Sequence, residues 1–165
     1  MANSSFIGKA KNIIAREFIK DDEIVKAIDS HLIKSNEELL DTHIFTYHQN
    51  PNTIHEVKTF ITIQVHIPES FMRNNTGNVF VNPRIEIWVI SHFDHMKVRN
   101  VPKVKENRND YLGRLIDEKL NGRSDFGIGK LVLKSNIEGS YQQDYLYRTM
   151  IFECRDVNDS LCEDE

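Results

Sequence analysis

The sequence predicts an α+β domain: a mostly antiparallel sheet of about five strands, with N-terminal helices and one further helix packed on one face. Three observations lead there. Apolar residues recur at helical spacing through the first forty positions and again over 112–120. The pattern switches to strict alternation over 59–67 and 84–92, and two more alternating runs close the chain. A block of helix, a block of strands and one late helix is an order that gathers helices on one face of an antiparallel sheet.

The elements follow in turn. Phe6, Ile7, Ala10, Ile13, Ile14 and Phe18 form one stripe of an amphipathic helix that Ser4 or Ser5 can cap. Asp21, Asp22 and Glu23 restart the pattern, since acids favour a first turn, and Ile24, Val25, Ile28 and Leu32 carry it on. Ser35 and Glu38 have capping-box spacing ahead of Leu39 and Leu40. Residues 43–48 and 59–67 are expected to pair antiparallel as a hairpin, through a turn containing Asn50, Pro51 and Asn52. Residues 69–82 are polar and turn-rich, and read as a loop. The strand 84–92 has Ile85, Ile87 and Val89 on one face and Glu86, Trp88 and Ile90 on the other; with both faces partly apolar, it belongs in the centre of the sheet. Asn107 or Asn109 can cap a helix carrying Leu112, Leu115, Ile116 and Leu120, which Asn121 and Gly122 terminate. Residues 130–136 and 145–157 read as two final strands joined by the loop 137–144.

With 165 residues, 39% hydrophobic and 28% charged, the chain suits one domain with a core rather than two. Residues 1–158 are assigned to that domain, and 159–165 to an acidic tail expected to fray. The formal charge is −4, from 21 bases and 25 acids. Asp159, Glu163, Asp164 and Glu165 account for that excess, so the body is neutral and the protein is not a nucleic-acid coat that works by bulk positive charge. No run approaches the roughly 18 apolar residues of a membrane span, and no membrane partner is expected. Cys154 and Cys162 read as free thiols of a reducing compartment.

Candidate chemistry is sparse. His92, Asp94 and His95 are donor types that zinc or non-haem iron accepts, which makes a metal-binding or metal-dependent enzyme the alternative reading. Its further ligands would come from His43, His48, His55, His66 or Glu86, and the spacing selects none of them. Ser91 and His92, adjacent on a strand, point to opposite faces and cannot form a relay. Cys154 shares a strand face with Met150 and Phe152 and reads as a small hydrophobe. Gly127 and Gly129 precede a strand instead of opening a helix, which rules out a nucleotide loop.

One electrostatic feature stands out. Lys97, Arg99, Lys103, Lys105 and Arg108 face a single acid, Glu106, giving +4 within twelve residues. Such a strip can lie against phosphates or an acidic protein surface, or serve a nucleic-acid-binding adaptor, although no aromatic ladder for stacking bases accompanies it.

The order of elements resembles the tail-terminator and head-tail joining (neck) proteins of tailed bacteriophages. It runs from an N-terminal amphipathic helix through the strands to the helix 107–120, then a glycine-led strand 127–133. A polar hairpin follows, and a last strand from Tyr145, with Tyr147 and Arg148, ends near Asp156. The resemblance implies a structural virion protein, assembled in the host cytoplasm and located in the neck. It would form a ring, commonly a hexamer, between the tail tube protein and the head completion or connector protein, with genomic DNA passing through. No cofactor and no catalytic residue is expected of such a ring. Phe71, Met72 and Arg73 become candidates for an arm toward a neighbour, and Lys97, Arg99, Lys103, Lys105 and Arg108 for a surface facing DNA or a partner.

Overall fold

A computed structural model describes residues 5–51, 56–68, 70–72 and 79–154. The α+β class holds: three helices lie with a five-stranded, mostly antiparallel sheet. Helix α1 spans Ser5–Ile19 and α2 spans Asp22–Ile28. The strands are β1 (Ile44–Phe45), β2 (Thr59–His66), β3 (Ser70–Met72), β4 (Val79–Val81) and β5 (Arg84–His92). Helix α3 (Arg108–Leu120) then precedes β6 (Leu131–Tyr141) and β7 (Tyr145–Cys154). The main sheet has the order β1-β2-β5-β7-β6, so the strand with two apolar faces, β5, is central, as its sequence predicts.

The helices cover one face of this sheet. Ala10, Ile14 and Phe18 of α1, Ile24 and Ile28 of α2, and Leu112 and Ile116 of α3 are buried with Ile61, Ile63, Ile85, Ile87, Met150 and Phe152 from the strands. On the opposite face Phe45, Phe60, Ile90 and Tyr145 make a smaller cluster, extended by Trp88 tilted against Tyr147 with ring centroids 4.7 Å apart. Ile13 turns out of the α1 stripe, and Ala15 and Ile19 take buried places instead.

Local signals set several boundaries. The Asp21 carboxylate accepts the N–H groups of Glu23 (3.0 Å) and Ile24 (3.2 Å), capping α2, and binds the Lys119 ammonium at 2.7 Å. Burial works against its charge, yet Lys119 and these N–H groups hold its pKa below the ordinary value. Asp21→Ala should therefore cost about 1–2 kcal/mol, read as a lower urea midpoint with an unchanged slope. Asn107 caps α3 by accepting the Asp110 N–H at 2.9 Å, and Gly122, at φ 84°, supplies the left-handed residue that lets the chain leave the helix. Gly113 sits under Arg148: a Cβ there would lie 2.6 Å from its Cδ, so the glycine lets Arg148 cross the helix to Asp110.

Several expectations are corrected. Residues 43–48 do not form an antiparallel hairpin with β2. Only Ile44 and Phe45 are strand, and they pair parallel with Ile61 and Thr62. The connection 46–58 is long enough to bring the chain back to the start of β2, which parallel pairing requires and a tight hairpin does not. The segment 69–82 is not all loop, because β3 and β4 pair antiparallel within it. Strand β6 runs five residues past its expected end, leaving Gln142–Asp144 as the turn into β7. Helix α2 stops at a left-handed Asp29 (φ 55°), so Leu32 falls outside it and is 85% exposed. Ser35 makes no side-chain cap, and the Glu38 carboxylate accepts the Lys34 N–H at 2.9 Å, one residue before the cap, so the expected box does not form. Ser4, residues 155–157 and the tail 159–165 lie outside the described residues.

Candidate functional site: a basic strap held by a buried arginine

Residues 93–108 link the end of β5 to the start of α3 and contain the basic strip. Apolar and basic positions divide it: Val98 is buried and Val101 and Val104 pack on the core, while Lys97, Arg99, Lys103 and Lys105 are exposed. The fifth cation departs from the sequence expectation. Arg108 is 1% exposed and cannot face DNA or a partner.

Arg108 is instead the staple of the strap. Its Nε donates to the His95 carbonyl (2.6 Å), and its Nη1 donates to the Ala27 carbonyl. Its Nη2 donates to the Lys97 carbonyl (3.0 Å) and to Asp29 Oδ2 (3.1 Å). One guanidinium thus joins the end of α2, the strap and the first turn of α3, through four hydrogen bonds from one rigid fork. Further ties are the Arg108 N–H to the Met96 carbonyl (2.7 Å) and the Asn100 amide to the Lys26 carbonyl. Asp29 presents its carboxylate because its left-handed backbone ends α2 there.

Beside this staple runs a chain of buried polar groups whose direction can be deduced. The Asn109 Nδ2 donates to the Leu146 carbonyl (2.9 Å), so its Oδ1 accepts the Ser91 hydroxyl (2.7 Å). Ser91, having donated, must accept from Thr59 at 2.8 Å; Thr59 in turn must accept from His95 Nδ1–H at 2.8 Å. His95 therefore carries a proton on Nδ1, and its Nε2 lies 3.8 Å from Asp29 Oδ2. Burial and the nearby Arg108 push its pKa down to about 4. His43, buried and near Lys58, is likewise lowered to about 4.

This arrangement separates the proposed metal ligands. His95 turns inward to Thr59, whereas the His92 ring meets Tyr145 edge-on at 5.3 Å and its Nδ1 accepts the Asp94 N–H at 3.1 Å. His48 lies by Gln64, and His66 pairs with Glu86 at 3.3 Å on the opposite part of the sheet. His55 is outside the described residues. Among the described residues no group of three or more His, Cys, Asp or Glu side chains could hold a metal ion. The three donors do not converge because the 3-10 turn Phe93–His95 directs the His95 ring to Thr59, while His92 and Asp94 stay together, with Nδ1 3.8 Å from Asp94 Oδ2.

Other candidates are placed as follows. Ser91 is fully buried and donates to an amide, so it has no access to a substrate. Cys154 is buried with Met150 and Phe152, and burial beside Glu153 pushes its thiol up to about 12, which keeps it from acting as a nucleophile. Phe71 and Met72 lie on β3, and Arg73 is outside the described residues. Sequence reasoning missed an open groove of about 480 Å³ between the end of α2, residues 56–58 and the strap. Leu32 and Val57 give it exposed apolar surface, and Lys58, Lys97 and Arg99 stand among its lining residues.

What the surface can do is bind by charge and shape. Comparison with known proteins places the fold. The family model described as YomW matches residues 17–154. A chain in the structure described as the virion of native gene transfer agent (GTA) particle has a TM-score of 0.56 and 9% identity, over 92% of this chain and 96% of that one. No curated protein sequence matches.

Proposed function

The chain belongs to the YomW family, and from that premise we propose that it is a structural protein of a tailed-phage virion. We place it at the head-tail junction, as a subunit of a hexameric ring that terminates the tail tube and joins it to the head connector. The observation that carries this reading is the shared fold with a chain of a gene transfer agent virion, which spans nearly the whole of both chains. The likeness takes in the fold as a whole, not one part of it.

The geometry supports a part that works by contact. The polar centres of the strap are consumed internally: Arg108 by Asp29 and carbonyls, Ser91 by Asn109, and His95 by Thr59. What remains outside is a row of four cations on a braced loop. Braced charges meet a partner without first losing conformational freedom, which favours association. Genomic DNA in the channel and acidic protein surfaces at the junction are the partners that such a row fits.

Lys97, Arg99, Lys103 and Lys105 changed together to Glu should leave thermal stability within about 1 kcal/mol of the parent, because exposed charges contribute little to folding. The same variant should fail to enter particles when it replaces the parent chain during assembly. Normal incorporation of the quadruple variant would refute the role given to the strap. For the ring itself the test is mass photometry with negative-stain images of the purified chain. A closed oligomer with a central opening is expected, and a stable monomer at micromolar concentration would contradict it.

A further inference from the structure

The groove beside the strap and the last residues of the chain have matching chemistry. In the groove, Asp29 is engaged by Arg108 (3.1 Å) and Glu56 by Lys58 (3.4 Å), and Asp94 lies 3.8 Å from the His92 ring, whereas no ion pair engages Lys97 or Arg99 among the described residues. Leu32, 85% exposed, and Val57, 54% exposed, offer apolar surface between these charges. Residues 155–165 contain Asp156, Asp159, Glu163, Asp164 and Glu165 against one base, Arg155, with Leu161 among them. An acidic segment with two aliphatic side chains, Val157 and Leu161, complements a groove with two unpaired cations and an exposed aliphatic patch.

The place where this segment leaves the fold decides which groove it fills. Cys154 ends β7 beside Leu131, and its N–H bonds the Pro83 carbonyl. The groove opens at the other end of the same strand, where Tyr145 pairs with His92, two residues before Asp94. Nine residue steps of β7 separate the two ends, about 30 Å at ~3.3 Å per step. Residues 155–165 span at most about 36–40 Å when fully extended, so reaching their own groove would require a taut path along the whole sheet. A ligand segment at one end and its receptor at the other is the geometry of a head-to-tail contact, which closes into a ring when the rotation between copies permits.

We propose that residues 155–165 of one subunit dock in the groove of the next, with Leu161 against Leu32 and Val57 and the flanking acids against Lys97 and Arg99. The inference rests on the ring reading above and supplies its inter-subunit latch. It also accounts for the charge of the chain: the −4 of the terminal segment is directed to the surplus cations of a neighbour.

Cys162, next to Leu161, makes the contact testable in the full chain. Leu32→Cys is an exposed substitution, and Cys154 is a poor competitor because burial raises its pKa to about 12. Mild diamide oxidation of Leu32→Cys should give a ladder of disulfide-linked species on a non-reducing gel, lost in Leu32→Cys/Cys162→Ser. Only a monomer with an internal link, or no link, would overturn docking between subunits. In a second arm, Lys97→Glu/Arg99→Glu and Asp159→Lys/Glu163→Lys should each weaken association about tenfold or more, and their combination should restore it. Failure of the combined variant to recover would also overturn it. Mass photometry of the unmodified chain separates the two readings. An oligomer that shows no cross-link in Leu32→Cys refutes the latch and leaves the ring, whereas a monomer refutes the ring itself.

Discussion

Arg108→Met is expected to lower the unfolding free energy by about 3–5 kcal/mol, the range for removing one partner of a buried ion pair. The guanidinium is 1% exposed, and its loss would strand the Asp29 carboxylate and three carbonyls, those of Ala27, His95 and Lys97, without their donor. Asp29 is itself only 13% exposed, so water cannot readily replace the cation. Arg108→Lys should recover little, since an ammonium is a single point of charge and cannot reach four acceptors in a plane. Adding Asp29→Asn to Arg108→Met removes the stranded charge and should regain part of the loss. Urea unfolding of the four proteins checks this. A loss below about 1 kcal/mol for Arg108→Met would mean that the strap is held by Val98, Val101 and Val104 instead.

A second large effect should appear on acidification. His43 and His95 have pKa values near 4 in the fold, chiefly because burial disfavours their charged forms. In the unfolded chain both titrate near 6.5, so between about pH 6.5 and 4 the unfolded state binds more protons than the folded state. Stability is therefore fully present above 6.5 and falls as the pH drops through this window. At pH 4.5 the loss should be roughly 2–3 kcal/mol for each histidine. Asparagine places an N–H donor where Nδ1 stood, preserving the bonds to Thr59 and Thr42 without a titrating group. His43→Asn/His95→Asn should consequently flatten the profile over this window. An unchanged slope in the double variant would assign the acid sensitivity to other groups.

How far the sequence could be read depended on how local each signal was. The cap at Asn107, the glycine at 122 and the alternation of Ile85, Ile87 and Val89 act over a few residues, and the elements they predict are present. Strand β6 was legible only at its start. Past Asn136 it is an edge strand whose Ile137 is 60% exposed, so no buried face imposes a regular pattern there. The direction of β1 depends on the route of 46–58, which no two-residue pairing encodes. The candidate site divides in the same way. Four of the five cations in the strip are exposed, as their composition leads one to expect. Arg108 differs from them only in what surrounds it, namely carbonyls from residues 11, 13 and 81 positions away in the chain. The inward turn of His95 likewise depends on Thr59, 36 positions earlier. The one forward clue was position: Arg108 is the first residue of a well-capped helix, where the backbone direction is already fixed.

The central claim, a structural subunit at the head-tail junction, is tested most directly by locating the chain in assembled particles. Purified particles from a host that makes them would be labelled with gold against a tag on this chain and imaged by electron microscopy. A single cluster of label at the junction of each particle is the predicted result. Label spread over the head or along the tail, or particles without label, would contradict it.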